Sequence, residues 1–205
     1  MLYSDVVSTS TLVLLKRLMQ IEMFKGLNLV GGTSLALQLG HRISTDLDLF
    51  GKMDPNEMEI STVLDEFEEI VLLNRTANIF NYIINGIKVD LVNYKYSFIG
   101  NYNEIEGIRL ANRADIAAMK LAAITGRGTK KDFVDLYFLL KEYSLKEIIG
   151  FYNTKFPDGS EFLVLKSLSY FQDANNEEVQ MLIDIDWEEI KNTIMTERSN
   201  YMDEI

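Results

Sequence analysis

The chain has 205 residues, 47% hydrophobic and 25% charged, enough to bury a core in one generous domain or two small ones. It holds no cysteine, which excludes a disulfide framework and a thiolate metal site. A formal charge of −11 excludes a protein that coats nucleic acid indiscriminately, because such binding rests on many basic contacts. No apolar run reaches the roughly eighteen residues of a membrane helix, and no basic lead into an apolar stretch marks a secretion signal, so a cytoplasmic location without a membrane partner is expected.

In chain order, Ser8, Thr9 and Ser10 precede Leu12, Leu14, Leu15, Leu18 and Met19, the pattern of an N-capped helix closed by Gly26. The apolar run 27–30 reads as a strand that ends on Gly31-Gly32 and passes through Thr33-Ser34 into a capped helix. Such a turn lets backbone N–H groups approach a phosphate with the positive end of the helix dipole behind them. After a gap of thirteen residues from Gly32, Asp46-Leu47-Asp48-Leu49 alternates acid and apolar residues, so both carboxylates point to one face of a strand. Neighbouring carboxylates repel, and a divalent cation between them relieves the repulsion. Asp-x-Asp alone is common, but joined to a glycine turn it points to a Mg²⁺-nucleotide site. His41 is the only histidine, which excludes a Ser-His-Asp mechanism and a multi-histidine metal site; it reads as a surface residue.

Residues 54–69 predict an amphipathic helix with Pro55 in its first turn and a solvated acidic face. Two β-rich runs follow, 70–75 and 78–84, and the second joins 87–92 through Asn85-Gly86, a strong hairpin signal. Asp90 interrupts that last apolar strand, and its burial demands a cation or hydrogen-bond donors. It is either a third carboxylate beside Asp46 and Asp48 or an edge-strand residue facing water. Residues 93–103 read as a loop over the site or at a partner, and 105–110 as one further strand. From Arg109 to Lys131 six basic residues face one acid, which fits either a held polyanion or an ordinary solvated helical face.

A helix is predicted from Asn112 to the break at Gly126-Arg127-Gly128, and a second from about Thr129 with the stripe Phe133, Leu136, Tyr137 and Leu140. Beyond it Ser144 and Ser160 are candidate caps, 163–171 an apolar helix, and Trp187 the docking residue of a final helix. The fold class is α/β (α+β): a mixed sheet flanked by helices over 1–105, then a mainly helical region over 106–205.

Val30-Gly31-Gly32, the gap, and Asp46-Leu47-Asp48-Leu49 resemble the signature of the nucleotidyltransferase superfamily that includes DNA polymerase β and kanamycin nucleotidyltransferase. The longer strings GGTSLALQLGHRISTDLDLF and ADIAAMKLAAITGRGTKKDFVDLYFLL are similar to the AbiEii/AbiGii toxin family of abortive-infection and toxin-antitoxin systems. The resemblance implies an enzyme moving a nucleotide from an NTP to an acceptor hydroxyl. Asp46, Asp48 and Asp90 would be catalytic ligands of two Mg²⁺ ions, with Mn²⁺ as a substitute. Gly31, Gly32, Thr33 and Ser34 would hold the NTP phosphates, with Arg42 and Ser44 from the recurring Arg-x-Ser-x-Asp-x-Asp run. Lys120 would be a catalytic triphosphate contact, supported by Arg127, Lys131 and Asp132; these four equally suit two capped helices joined by ordinary ion pairs. The partners implied are a cognate antitoxin and an acceptor, either a tRNA 3′ end or a protein hydroxyl. An aminoglycoside-type antibiotic nucleotidyltransferase and a non-catalytic nucleotide-binding regulatory module are the alternatives.

Overall fold

The computed structural model describes residues 1–54 and 56–204, so the Pro55 of the expected helix start lies outside it. The chain divides into two compact units, one of Met1–Ser97 with Tyr102–Ala111 and one of Phe98–Asn101 with the residues from Asn112 onward.

The first unit begins with α1 (Thr9–Gln20), where the Ser8 hydroxyl accepts from the Thr11 N–H at 3.0 Å, the cap its Ser-Thr-Ser start predicts. β1 (Leu27–Leu29), α2 (Gly31–Leu39) and β2 (Leu47–Gly51) follow. Next come α3 (Glu57–Leu64), capped by Asn56, and the strands β3 (Ile70–Arg75), β4 (Ile79–Ile84) and β5 (Ile87–Asn93). Helix α3 is shorter than the expected 54–69. The β4–β5 turn at Asn85-Gly86 has both residues at positive φ, 50° and 77°, as a two-residue hairpin requires.

The expected single strand over 105–110 is instead a second hairpin, β6 (Asn103–Ile105) and β7 (Ile108–Leu110). Its turn, Glu106-Gly107, repeats the same left-handed geometry at φ 55° and 79° with a glutamate where asparagine is usual. The seven strands form one mixed sheet in the order β3-β4-β5-β2-β1-β7-β6. β2 runs parallel to β5 and β1 parallel to β7; the remaining neighbours are antiparallel.

One face of this sheet is the core. Leu27 and Leu29 of β1, Leu47 and Leu49 of β2, Val89 and Leu91 of β5, and Phe80, Tyr82 and Ile84 of β4 are buried there. They join Leu14, Leu15, Leu18 and Met19 of α1 and Ile60 and Leu64 of α3. With a side-chain period of two, this assignment turns the residues between them to the other face.

The second unit is helical: α4 (Arg113–Gly126), α5 (Lys130–Leu140), α6 (Leu145–Lys155), α7 (Glu161–Ser167) and α8 (Trp187–Glu204). Ser144 forms a full capping box with Glu147, and Ser160 caps α7, which stops short of the expected 171. Trp187 packs against Phe133 and Phe171 at ring separations of 6.2 and 5.9 Å, the docking its sequence position predicts. The Asp115 carboxylate is fully buried; it takes the Lys155 ammonium at 2.6 Å and the Ile99 N–H at 3.0 Å, fixing residues 98–101 to this unit. Among the described residues no helix is long and apolar enough to cross a membrane.

Arg109, counted from the sequence in a basic zone, is buried on β7. Its guanidinium donates to the carbonyls of Leu27, Met19 and Phe24 at 2.9–3.0 Å, closing the end of α1 and the turn before β1. Burial lowers its pKa and the neighbouring Glu104 partly restores it. Its charge therefore serves the fold. Arg109→Leu strands three buried carbonyls and is expected to lower stability by about 3 kcal/mol in urea unfolding; an unchanged midpoint would contradict this role.

Candidate active site

Register brings two of the predicted acids together. In the parallel β2–β5 pair Asp48 lies directly beside Asp90, and Leu47 beside Val89 and Leu49 beside Leu91 on the core side. Asp48 and Asp90 are only half-buried on the opposite face, while those leucines and Val89 are buried. Asp90 is thus on an interior strand with its side chain 17% exposed, in place of the edge-strand arrangement that would have left it in water. Asp46 sits one residue ahead of β2, with the Thr45 hydroxyl donating to its Oδ1 at 3.4 Å.

The glycine turn meets the same acids. The Val30 N–H donates to the Asp48 carbonyl at 2.9 Å, which carries the chain straight from β1 to Gly31. Gly31 has φ +67°, and a Cβ there would lie 2.5 Å from Asp48 Oδ2. Only glycine fits, both for its backbone conformation and because the carboxylate occupies the place of a side chain.

The helix also begins earlier than expected. α2 starts at Gly31, with Val30 at the N-cap position and no side-chain cap, so the first N–H groups keep the anion-binding character of an uncapped helix end. Thr33 and Ser34 lie inside the helix and are buried. The Thr33 hydroxyl donates to the Asp46 carbonyl and pairs with Ser44 Oγ at 2.8 Å; Gln38 Nε2 donates to the Ser34 hydroxyl at 3.3 Å. These hydroxyls are engaged by protein partners. Those of Thr33 and Ser44 hold the segment that carries Asp46.

Two further expectations change. His41 is fully buried rather than on the surface, and Arg42 is 3% exposed with its Nη1 donating to the Ile43 carbonyl at 3.0 Å.

In the second unit Lys120 is buried between two carboxylates, Asp132 at 3.0 Å and Asp135 at 2.5 Å. Arg127 and Thr129 also bind Asp132, at 2.9 and 2.7 Å, whereas Lys131 is half-buried. The charge of Lys120 is compensated within this unit, the ion-pair arrangement that its sequence left open. Asp135, three residues after Asp132 and so on the same helix face, joins this cluster although its sequence position suggested no role in a site. Burial alone would raise the pKa of Asp132, but the Arg127 hydrogen bond, the Lys120 charge and the Thr129 hydroxyl outweigh it and hold the group well below the usual carboxylate range.

The donor chemistry suits a hard cation. Two carboxylates are in register on one face, and the missing side chain of Gly31 lets one of them approach the turn. Among the described residues no three His, Cys, Asp or Glu side chains are gathered into a cage. Mg²⁺ does not need one, because it is commonly held by one or two carboxylates with substrate phosphates and water completing its octahedron.

The model of the family described as nucleotidyl transferase AbiEii toxin, type IV toxin-antitoxin system, matches residues 13–106 and 99–204, and the chain belongs to that family. It is by that membership a nucleotidyltransferase of the toxin type. An uncharacterized protein of Aquifex aeolicus is 32% identical over 195 residues, covering 92% of this chain and 94% of that one. Among solved structures, JHP933 from Helicobacter pylori is similar with a TM-score of 0.58 at 21% identity, over 94% of this chain and 92% of that one. MenT4, a nucleotidyltransferase toxin from Mycobacterium tuberculosis, has a TM-score of 0.62 at 14% identity, over 90% of this chain and 79% of that one. These two likenesses establish the fold.

Two outcomes follow from this geometry. Gly31→Ala forces a Cβ onto the Asp48 carboxylate in a left-handed backbone and is expected to cost about 1–3 kcal/mol in urea unfolding. A variant as stable as wild type would contradict it. Asp132 has a folded pKa below its unfolded value, so it contributes stability above the unfolded pKa of about 3.9, and that stability is lost as pH falls below it. The stability gap between wild type and Asp132→Asn is therefore expected to be large at pH 7 and to narrow progressively in unfolding curves below about pH 4.

Proposed function

We propose that the chain transfers a nucleoside monophosphate from an NTP to an acceptor hydroxyl with divalent metal bound at Asp48 and Asp90. The observation that carries this is the in-register pair of carboxylates on one sheet face, against the side-chain-free turn at Gly31.

In this reading the backbone N–H groups of Gly31 and Gly32, at the uncapped N-terminus of α2, bind the β- and γ-phosphates. Thr33 and Ser44 hold the segment leading into β2, so that Asp46 and Asp48 enter the site in a fixed order. Mg²⁺, when bound by Asp48 and Asp90, would supply charge neutralisation on the phosphates and a lowered pKa for the attacking hydroxyl. The acceptor oxygen bonds to the α-phosphorus, the bond from that phosphorus to the β-bridging oxygen breaks, pyrophosphate leaves and the hydroxyl proton passes to solvent.

The acceptor we assign is a tRNA 3′ end or a protein hydroxyl, with a cognate antitoxin as the regulatory partner; the family description supports the latter by placing the chain in a toxin-antitoxin system. Incubation with α-labelled NTPs and either total bacterial RNA or lysate protein identifies which macromolecule takes up label. Asp48→Asn removes one carboxylate, and the loss of several kcal/mol of charge stabilisation predicts a fall of about a thousandfold in labelling with the fold retained. Full labelling by Asp48→Asn would overturn the assignment.

A further inference from the structure

The two oxygens of the Asp90 carboxylate are held by side chains of opposite character. Asn81 stands directly across the antiparallel β4–β5 pair from Asp90, and its Nδ2 donates to Asp90 Oδ1 at 2.8 Å. Lys88, two residues earlier on β5 and so on the same face, places its Nζ 3.3 Å from Asp90 Oδ2. Asn74, from the neighbouring strand β3, donates its own Nδ2 to Asn81 Oδ1 at 3.5 Å. A polar row thus crosses the open face of the sheet from Asn74 through Asn81 and Asp90 to Asp48.

The direction of that row matters. A carboxamide has one donating and one accepting end, and an amide turned the other way would set its oxygen against a carboxylate. Because Asn81 spends its oxygen on Asn74, its NH₂ faces Asp90. The hydrogen bond is neutral, so it fixes the carboxylate without consuming its charge. Lys88 does the reverse. Its ammonium neutralises Asp90 through a contact that is open to water, with the lysine side chain 44% exposed. Exposed pairs of this kind are worth only about 0–1 kcal/mol and are readily exchanged for another cation.

We propose that Asn81 is a positioning residue that aims the Asp90 carboxylate at a divalent cation, and that Lys88 is a competitor which the cation displaces from Oδ2. Together they set the free-metal concentration at which the site fills. This inference rests on the reading of Asp48 and Asp90 as metal ligands.

The test is calorimetric titration of the whole protein with Mn²⁺ in the absence of acceptor, so that binding is read without turnover. Thermal unfolding of each variant shows that it is folded. Asn81→Leu keeps the size of the side chain but removes the donor, and is expected to weaken Mn²⁺ about tenfold, as loss of an outer-sphere partner does. Lys88→Met removes one positive charge next to the site and is expected to tighten Mn²⁺ about threefold, the effect of a unit charge several ångströms away in a water-like medium. Asn81→Ala takes the place of the leucine variant should that one unfold.

Asp48→Asn is the control for the underlying reading. If Asp48→Asn abolishes Mn²⁺ binding while Asn81→Leu binds as wild type, or Lys88→Met binds more weakly than wild type, the positioning proposal is overturned and the metal site stands. If wild type takes up no Mn²⁺, or Asp48→Asn takes up as much as wild type, the metal site and the proposal fall together.

Discussion

The parallel pairing of β2 with β5 is the constraint on which the rest of the site depends. It puts Asp48 beside Asp90 on strands about 4.8 Å apart, where two like charges repel by about 1–3 kcal/mol depending on how much water screens them. A sheet does not keep such a pair for stability. The register is enforced from the other side, where Leu47, Leu49, Val89 and Leu91 are buried in the core. Because side chains alternate, a slip of one residue would expose all four and bury both acids, so the hydrophobic pattern that folds the sheet also fixes the chemistry on its other face.

Around this pair the neighbouring elements are placed by short-range necessity. Gly31 has no Cβ because the Asp48 carboxylate stands where one would be, and its left-handed backbone turns β1 into α2 within one residue. The Thr33 hydroxyl bonds the carbonyl of Asp46, tying the first turn of the helix to the entry of the acid strand. The hydroxyls of Thr33, Ser34 and Ser44 are thus engaged within the protein. The Arg42 guanidinium is likewise buried and donates to the Ile43 carbonyl.

Much of this was legible in the sequence because periods and turn residues report local geometry. The Asp-Leu-Asp-Leu alternation gave the face of β2, Asn85-Gly86 gave the hairpin, and an acid inside an apolar strand singled out Asp90. What stayed hidden depends on contacts between distant segments. Asn81 sits in an ordinary β-pattern and becomes interesting only because the hairpin sets it opposite Asp90. The basic stretch 109–131 looked like one patch in the sequence, yet Arg109 closes backbone carbonyls in one unit while Lys120 and Arg127 are paired with Asp132 in the other. Charge counted along the chain carries no information about which charges are already compensated. The turn at Glu106-Gly107 escaped for a local reason, since glutamate seldom takes the left-handed conformation found there.

The central claim is that the registered carboxylates and the glycine-led helix end form one metal-nucleotide site. A crystal grown with Mn²⁺ and a non-hydrolysable NTP addresses it directly through anomalous scattering. The expected result is a manganese peak between the Asp48 and Asp90 carboxylates, with phosphate oxygens on the N–H groups of Gly31 and Gly32. Manganese and phosphates bound elsewhere, with the Asp90 carboxylate left to Asn81 and Lys88, would contradict it.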